Sequence, residues 1–230
     1  MNNHEVKQSV KAFMQENRKV AYGLTLIPLL VSVVVSGVGS GIPLFSLLYA
    51  PFSLLMMMLV QVTFLALMRG ETFSFQKHIV DHGKEKWGSY IILSIVSTLY
   101  ITLWTMLFFI PGIVKTFAYS LAPFIQHDNP ELSANESLKE SIRMTDGKKG
   151  RLFGIYFSYY AGALLSLTLM YVFGTLSLVA GFSAGGEAGN FFVFALLSIL
   201  FAVASIACSI YAAPRWYAAL SLVYKERLND

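Results

Sequence analysis

His78 and His82 stand four residues apart, with Asp81 and Glu85 close by. On a helix the two imidazoles would share a face and could hold a metal ion. The H-x-x-x-H pattern lacks a placed third ligand and is interrupted by Gly83. The segment therefore reads as solvated and interfacial, with no metal and no cofactor. Lys148, Lys149 and Arg151 form a basic run beside an apolar stretch. Such a run can bind the phosphate of an anionic lipid headgroup, or can simply anchor the chain on the cytoplasmic side. Pro111-Gly112, with Lys115 and Tyr119 just beyond, is a third candidate. Proline costs ~3 kcal/mol inside a helix and glycine also weakens it, so a break is expected there. A broken helix exposes backbone groups that can line a small cavity.

No other pattern in the chain suggests catalysis. There is no G-x-S-x-G elbow, no P-loop and no dinucleotide fingerprint. The G-x-G run at 37–41 lies between two apolar stretches and reads as a turn. The apolar stretches hold no Asp or Glu, so a buried carboxylate for proton coupling is missing. No catalytic residue is assigned, and the chain is not expected to be an enzyme. Gln61, Thr63, Thr102, Tyr119 and Tyr159 are polar groups within apolar stretches. Their default use is hydrogen bonding between helices, and the sharper alternative is a polar cavity lining.

The elements that carry these residues follow from composition. Of 230 residues, 56% are hydrophobic and only 13% charged, against about 25% charged in soluble domains. Mean hydropathy is +0.61. A soluble globule of this size could not hide so much apolar surface. The net charge of +4 points to anionic lipid rather than nucleic acid, because Lys and Arg sit between apolar runs. Cys208 is the lone cysteine, so no intrachain disulfide forms.

A helical span needs about 20 residues. Charge-free stretches predict spans near 20–38, 44–68, 89–110, 152–182 and 189–213. Gly37, Gly39, Gly41 and Pro43 mark the first turn, and the first run reads as a retained span rather than a cleaved signal. Five spans divide the basic residues almost evenly between the two sides, which violates the positive-inside rule. A sixth span at 113–126, after a reversal at Pro111-Gly112, leaves Lys115 alone outside among the 17 Lys and Arg. That span is short and could be re-entrant, which would leave five. Lys115 would snorkel to the outer headgroups.

Two amphipathic helices complete the expectation. Residues 1–19 form a cytoplasmic segment in which Val6, Val10, Phe13 and Met14 share a face, suited to the inner leaflet. Residues 20–230 form one polytopic membrane domain with a cytoplasmic helical loop at 128–151. There Ser133 and Glu136 make a capping box, Leu138 and Ile142 an apolar stripe, and Gly147 a stop. Gly154, Gly162, Ala163, Ser166 and Gly174 put small residues on the fifth span, suited to close packing. Glu187 falls in a short outer loop and reads as solvated.

Three blocks carry a family likeness: LWTMLFFIPGIVKTFAYSLAPFI at 103–125, DNPELSANESLKESIRMTDGKKGRLF at 128–153 and PRWYAALSLVYKE at 214–226. The chain resembles bacterial integral-membrane proteins of domain-of-unknown-function family 975. The likeness implies a multi-spanning bacterial membrane protein and carries no settled activity. The expectation is thus an all-α membrane protein, a bundle of six transmembrane helices with both termini cytoplasmic. It would be non-catalytic and act through membrane lipids, a membrane-protein partner or a second copy. A small carrier or channel with its site near Pro111-Gly112 is the alternative.

Overall fold

The computed structural model describes residues 2–39, 43–182 and 188–228, with backbone alone for 32–39, 43–52, 54, 82–83, 182 and 188–189. All regular structure among them is helical. The helices are α1 (Asn3–Glu16), α2 (Arg18–Gly39), α3 (Pro43–Met68), α4 (His82–Leu107), α5 (Phe109–Ala118), α6 (Ala122–Asp128), α7 (Ala134–Met144), α8 (Lys149–Phe182) and α9 (Ala188–Leu228). A π-helical turn, Gln76–Asp81, leads into α4.

The expected turn at 37–43 and the loop with Glu187 fall partly or wholly outside the described residues. Helices α2 and α3 stop and start on either side of the turn, at Gly39 and Pro43. Among the described residues three helices are long and apolar enough to cross a bilayer: Lys84–Leu107, Lys149–Gly181 and Asn190–Leu228. The expected six spans are thus shown only in part. Helices α2 and α3 carry the first two expected spans but are described only in part. The segment 113–126 is not one helix.

The chain divides into two compact units, Met1–Ile155 with Pro214–Asp230, and Tyr156–Ala213. Helix α1 belongs to the core of the first unit. An N-terminal capping box starts it: Glu5 N–H donates to Asn2 Oδ1 at 2.9 Å, and Asn2 N–H to Glu5 Oε2 at 2.9 Å. Its stripe of Val6, Val10, Phe13 and Met14 is buried. Phe13 meets Phe64 of α3 at 6.2 Å between centroids, and Phe64 meets Tyr217 of α9 at 5.7 Å. The amphipathic face covers protein, not lipid.

The apolar stripe of α7 is likewise spent on protein. Leu138 is buried in a cluster with Met58, Leu59, Val62, Tyr90, Leu93 and Tyr119, and Ile142 packs against it. The helix starts on its capping box, with Ser133 N–H donating to Glu136 Oε2 at 2.8 Å and Glu136 N–H to Ser133 Oγ at 3.3 Å. Gly147, at φ +69°, lies in the turn between α7 and α8, three residues past Met144; a side chain would be strained there.

The break in 113–126 comes at residues 119–121, between α5 and α6. A helix end leaves backbone groups without partners, and α7 supplies them. Ser141 Oγ donates to Ala118 O at 2.7 Å and accepts from Leu121 N–H at 3.2 Å. Pro123 stands at the start of α6, where its missing N–H costs nothing. The ten residues of α5 extend about 15 Å at 1.5 Å each, half the ~30 Å of a hydrocarbon core.

In the second unit the arms of α8 and α9 pack through small residues. Cβ atoms added at Gly162 and Gly174 would lie 3.4 Å from Cys208 Sγ and 3.3 Å from Ser198 Oγ. Ser198 Oγ donates to Met170 O at 3.1 Å, and Ser205 Oγ to Ala163 O at 3.3 Å. Hydroxyls bonding across helices in this way satisfy themselves without water. Leu165, Val179, Leu196 and Leu200 face outward and are exposed.

Candidate functional site

Chain reversal within the first unit comes at Phe108, not at Pro111-Gly112. Helix α4 ends at Leu107, and Phe108 is extended, with φ −153° and ψ 125°. Pro111 is the third residue of α5, within the first turn, where no intrahelical N–H bond is required. Proline there allows a helix start as readily as a break. Gly112 has a separate reason. A Cβ on it would lie 2.1 Å from Thr105 Oγ1 and 2.8 Å from Thr105 Cα. Glycine lets α5 fold back against α4, and Thr105 fills the space where a cavity was expected.

The Lys115 ammonium lies over the Trp104 ring at 5.1 Å and the Tyr119 ring at 5.7 Å, an attraction of the ring faces for a cation. Tyr119 is buried and leans on Tyr100 at 6.4 Å. Thr102 is exposed, and Tyr159 belongs to the second unit. Beyond this aromatic brace the hairpin is bare: Met106, Leu107, Phe108, Phe109 and Ile110 are 67–80% exposed. Five large apolar residues in succession at a helix turn form a patch that water does not favour.

A polar cluster gathers the ends of helices far apart in sequence. Arg69, just after α3, makes a fork on Asp128 at the end of α6, with distances of 2.8 and 2.5 Å. Tyr224 of α9 donates to the same carboxylate at 2.8 Å. Burial works against the Asp128 charge. The bonds from Arg69 and Tyr224 and the Arg69 charge outweigh it, and the carboxyl titrates below its ordinary range. Lys86 donates to His127 O at 2.9 Å, Lys225 to Met68 O at 2.7 Å and Arg227 to Met144 O at 2.9 Å. Three cations thus close the C-termini of α6, α3 and α7, where orphan carbonyls carry partial negative charge.

The basic run is partly engaged in the same way. Arg151 meets Glu226 at 3.0 Å, Lys148 meets Glu226 at 3.9 Å and Lys149 meets Asp146 at 3.2 Å. These three cations, expected to hold lipid headgroups, have carboxylate partners within the protein. His78 is buried, accepts from Ser74 N–H at 3.2 Å through Nδ1, and lies 3.5 Å from Glu71 through Nε2. The side chain of His82 is outside the described residues. Among those described, no group of three His, Cys, Asp or Glu is placed to hold a metal.

One feature has no counterpart among the sequence expectations. An apolar cleft of about 470 Å³ is lined by Leu55, Met56 and Leu59 of α3, Ile79 and Val80 of the π-helical turn, and Lys84 and Trp87 of α4. A local signal is present: Lys84 and Trp87 are three apart and share a helix face. The opposite wall comes from residues more than twenty positions earlier. Comparison with protein-family models, curated proteins and solved structures returns no match. The family likeness of the three sequence blocks rests on those residues alone.

Proposed function

We propose that this is a non-catalytic, multi-pass protein of the bacterial cytoplasmic membrane, of the kind its likeness to family 975 implies. Both termini and the 128–151 segment lie on the cytoplasmic side, and the protein acts through lipid or membrane-protein partners. One observation carries this reading. Large apolar residues are turned outward on the α4–α5 hairpin and on both arms of the second unit, while charged residues of the first unit join helix ends to one another. Lipid is the solvent that tolerates the first arrangement. The Arg69–Asp128–Tyr224 contact supports a chain that doubles back between Arg69 and Asp128 and so keeps its basic segments on one side. The carrier reading has no comparable support, because Thr105 occupies the space at Gly112.

Lys139 is exposed on α7. A Lys139→Cys variant in a Cys208→Ala background tests the arrangement. A membrane-impermeant maleimide is expected to leave intact cells unlabelled and to react after permeabilisation. Equal labelling of intact and permeabilised cells would place α7 outside and refute the topology. Release of the protein from membranes by alkaline carbonate would refute membrane embedding itself.

A further inference from the structure

The geometry points to the cleft between α3, the π-helical turn and α4 as a binding site for one anionic phospholipid of the inner leaflet. The inference rests on the membrane reading above. Six of the seven lining residues are Leu55, Met56, Leu59, Ile79, Val80 and Trp87, so an acyl chain finds apolar side chains along the wall. The seventh, Lys84, is the single charged residue of the lining and is exposed. It differs from the cations of the polar cluster in an important way. Arg69, Lys86, Lys225 and Arg227 each close a carboxylate or a helix end. Among the described residues Lys84 has no such partner, and neither does the Trp87 indole N–H.

An ammonium and an indole N–H three residues apart therefore stand at an apolar cleft with their donor capacity unused. A phosphate diester satisfies both while its chain lies among the leucines and isoleucine, and Trp is suited to the boundary between the two environments. A neutral zwitterionic lipid offers the same chain but sets its own ammonium against Lys84. The charge at the cleft thus selects an anionic headgroup.

The test uses the full chain with Trp104→Phe and Trp216→Phe, which leaves Trp87 as the reporter. The protein is reconstituted in phosphatidylcholine vesicles containing a fixed fraction of chain-brominated phosphatidylglycerol or chain-brominated phosphatidylcholine. Brominated phosphatidylglycerol is expected to quench Trp87 with a preference of roughly fivefold, the scale of one lysine near an anionic surface. Lys84→Gln should abolish the preference, whereas Lys139→Gln, on an exposed lysine outside the cleft, should retain it. Val80→Phe should reduce quenching by filling the cleft. Equal quenching by the two lipids, or a preference unchanged by Lys84→Gln, would overturn the site while leaving the membrane reading intact. No quenching of the three-tryptophan protein by either lipid would overturn the membrane reading as well.

Discussion

Replacing Gly112 by alanine tests the α4–α5 approach directly. The new Cβ would sit 2.1 Å from Thr105 Oγ1 and 2.8 Å from Thr105 Cα, where ordinary contacts begin at 3.4 Å. The hydroxyl can rotate away, but the backbone of Thr105 can retreat only if the two helices part. Forcing a methyl group into a packed contact costs about 1–3 kcal/mol. Alanine recovers at most about 1 kcal/mol of helix propensity, and less in a first turn. A net loss of about 1–2 kcal/mol is expected, roughly tenfold in the folding equilibrium. Reversible unfolding in mixed micelles by rising dodecyl sulfate measures it. Gly150→Ala is the control, because nothing lies within 4 Å of its added Cβ; it should be neutral or slightly stabilising. Thr105→Ala combined with Gly112→Ala should recover only part of the loss, since the clash with the α4 backbone persists. A Gly112→Ala protein as stable as the parent would refute the close approach.

Phe13→Ala should cost about 3–5 kcal/mol in the same assay, as for other buried aromatics; an α1 lying on lipid would instead lose vesicle affinity with little change in stability. Pro111→Ala should change stability by less than about 1 kcal/mol, because Pro111 occupies the first turn of α5; a larger loss would restore it as the site of reversal. Asp128→Asn should cost about 1.5–3 kcal/mol near neutral pH, the range for hydrogen bonds to a charged group. The folded Asp128 carboxyl titrates below its ordinary value, so its contribution is full above the unfolded value near 4 and disappears as pH falls through the lower folded one. Unfolding measured between pH 3 and 7 should show the gap between parent and variant closing in acid, and a constant gap would refute the linkage.

Local signals in the chain proved legible where one element contained the whole cause. The Ser133–Glu136 box and the stripe of Val6, Val10, Phe13 and Met14 read directly from spacing, whereas α7 stops at Met144, three residues before Gly147. The small residues at 162 and 174 do pack closely. What sequence could not tell is the identity of the partner. An apolar stripe is satisfied by lipid or by protein, and only the fold shows Phe64 beside Phe13 and Tyr119 beside Leu138. Proline is ambiguous for a similar reason: it opens a helix or interrupts one, and Pro111 opens α5. The basic residues were the least legible. Charge between apolar runs suggests headgroups, yet Lys225 and Arg227 reach carbonyls at Met68 and Met144, which no local pattern announces. Lys84, which pairs with none of these, looks the same in sequence as Lys86, which does.

The Lys225–Met68 bond joins residues 157 positions apart, and the whole of 156–213 is synthesised between its two halves. When α3, α6 and α7 have left the ribosome, the carbonyls at Met68 and Met144 and the Asp128 carboxylate have yet to meet Lys225, Arg227 and Tyr224. The N-terminal portion must wait, incompletely fastened, until the arms of α8 and α9 that make the second unit have been synthesised. Nascent chains arrested before residue 214 should therefore be more open to protease around α6 and α7 than released ones, and assembly of this unit is governed by when its last fastening emerges.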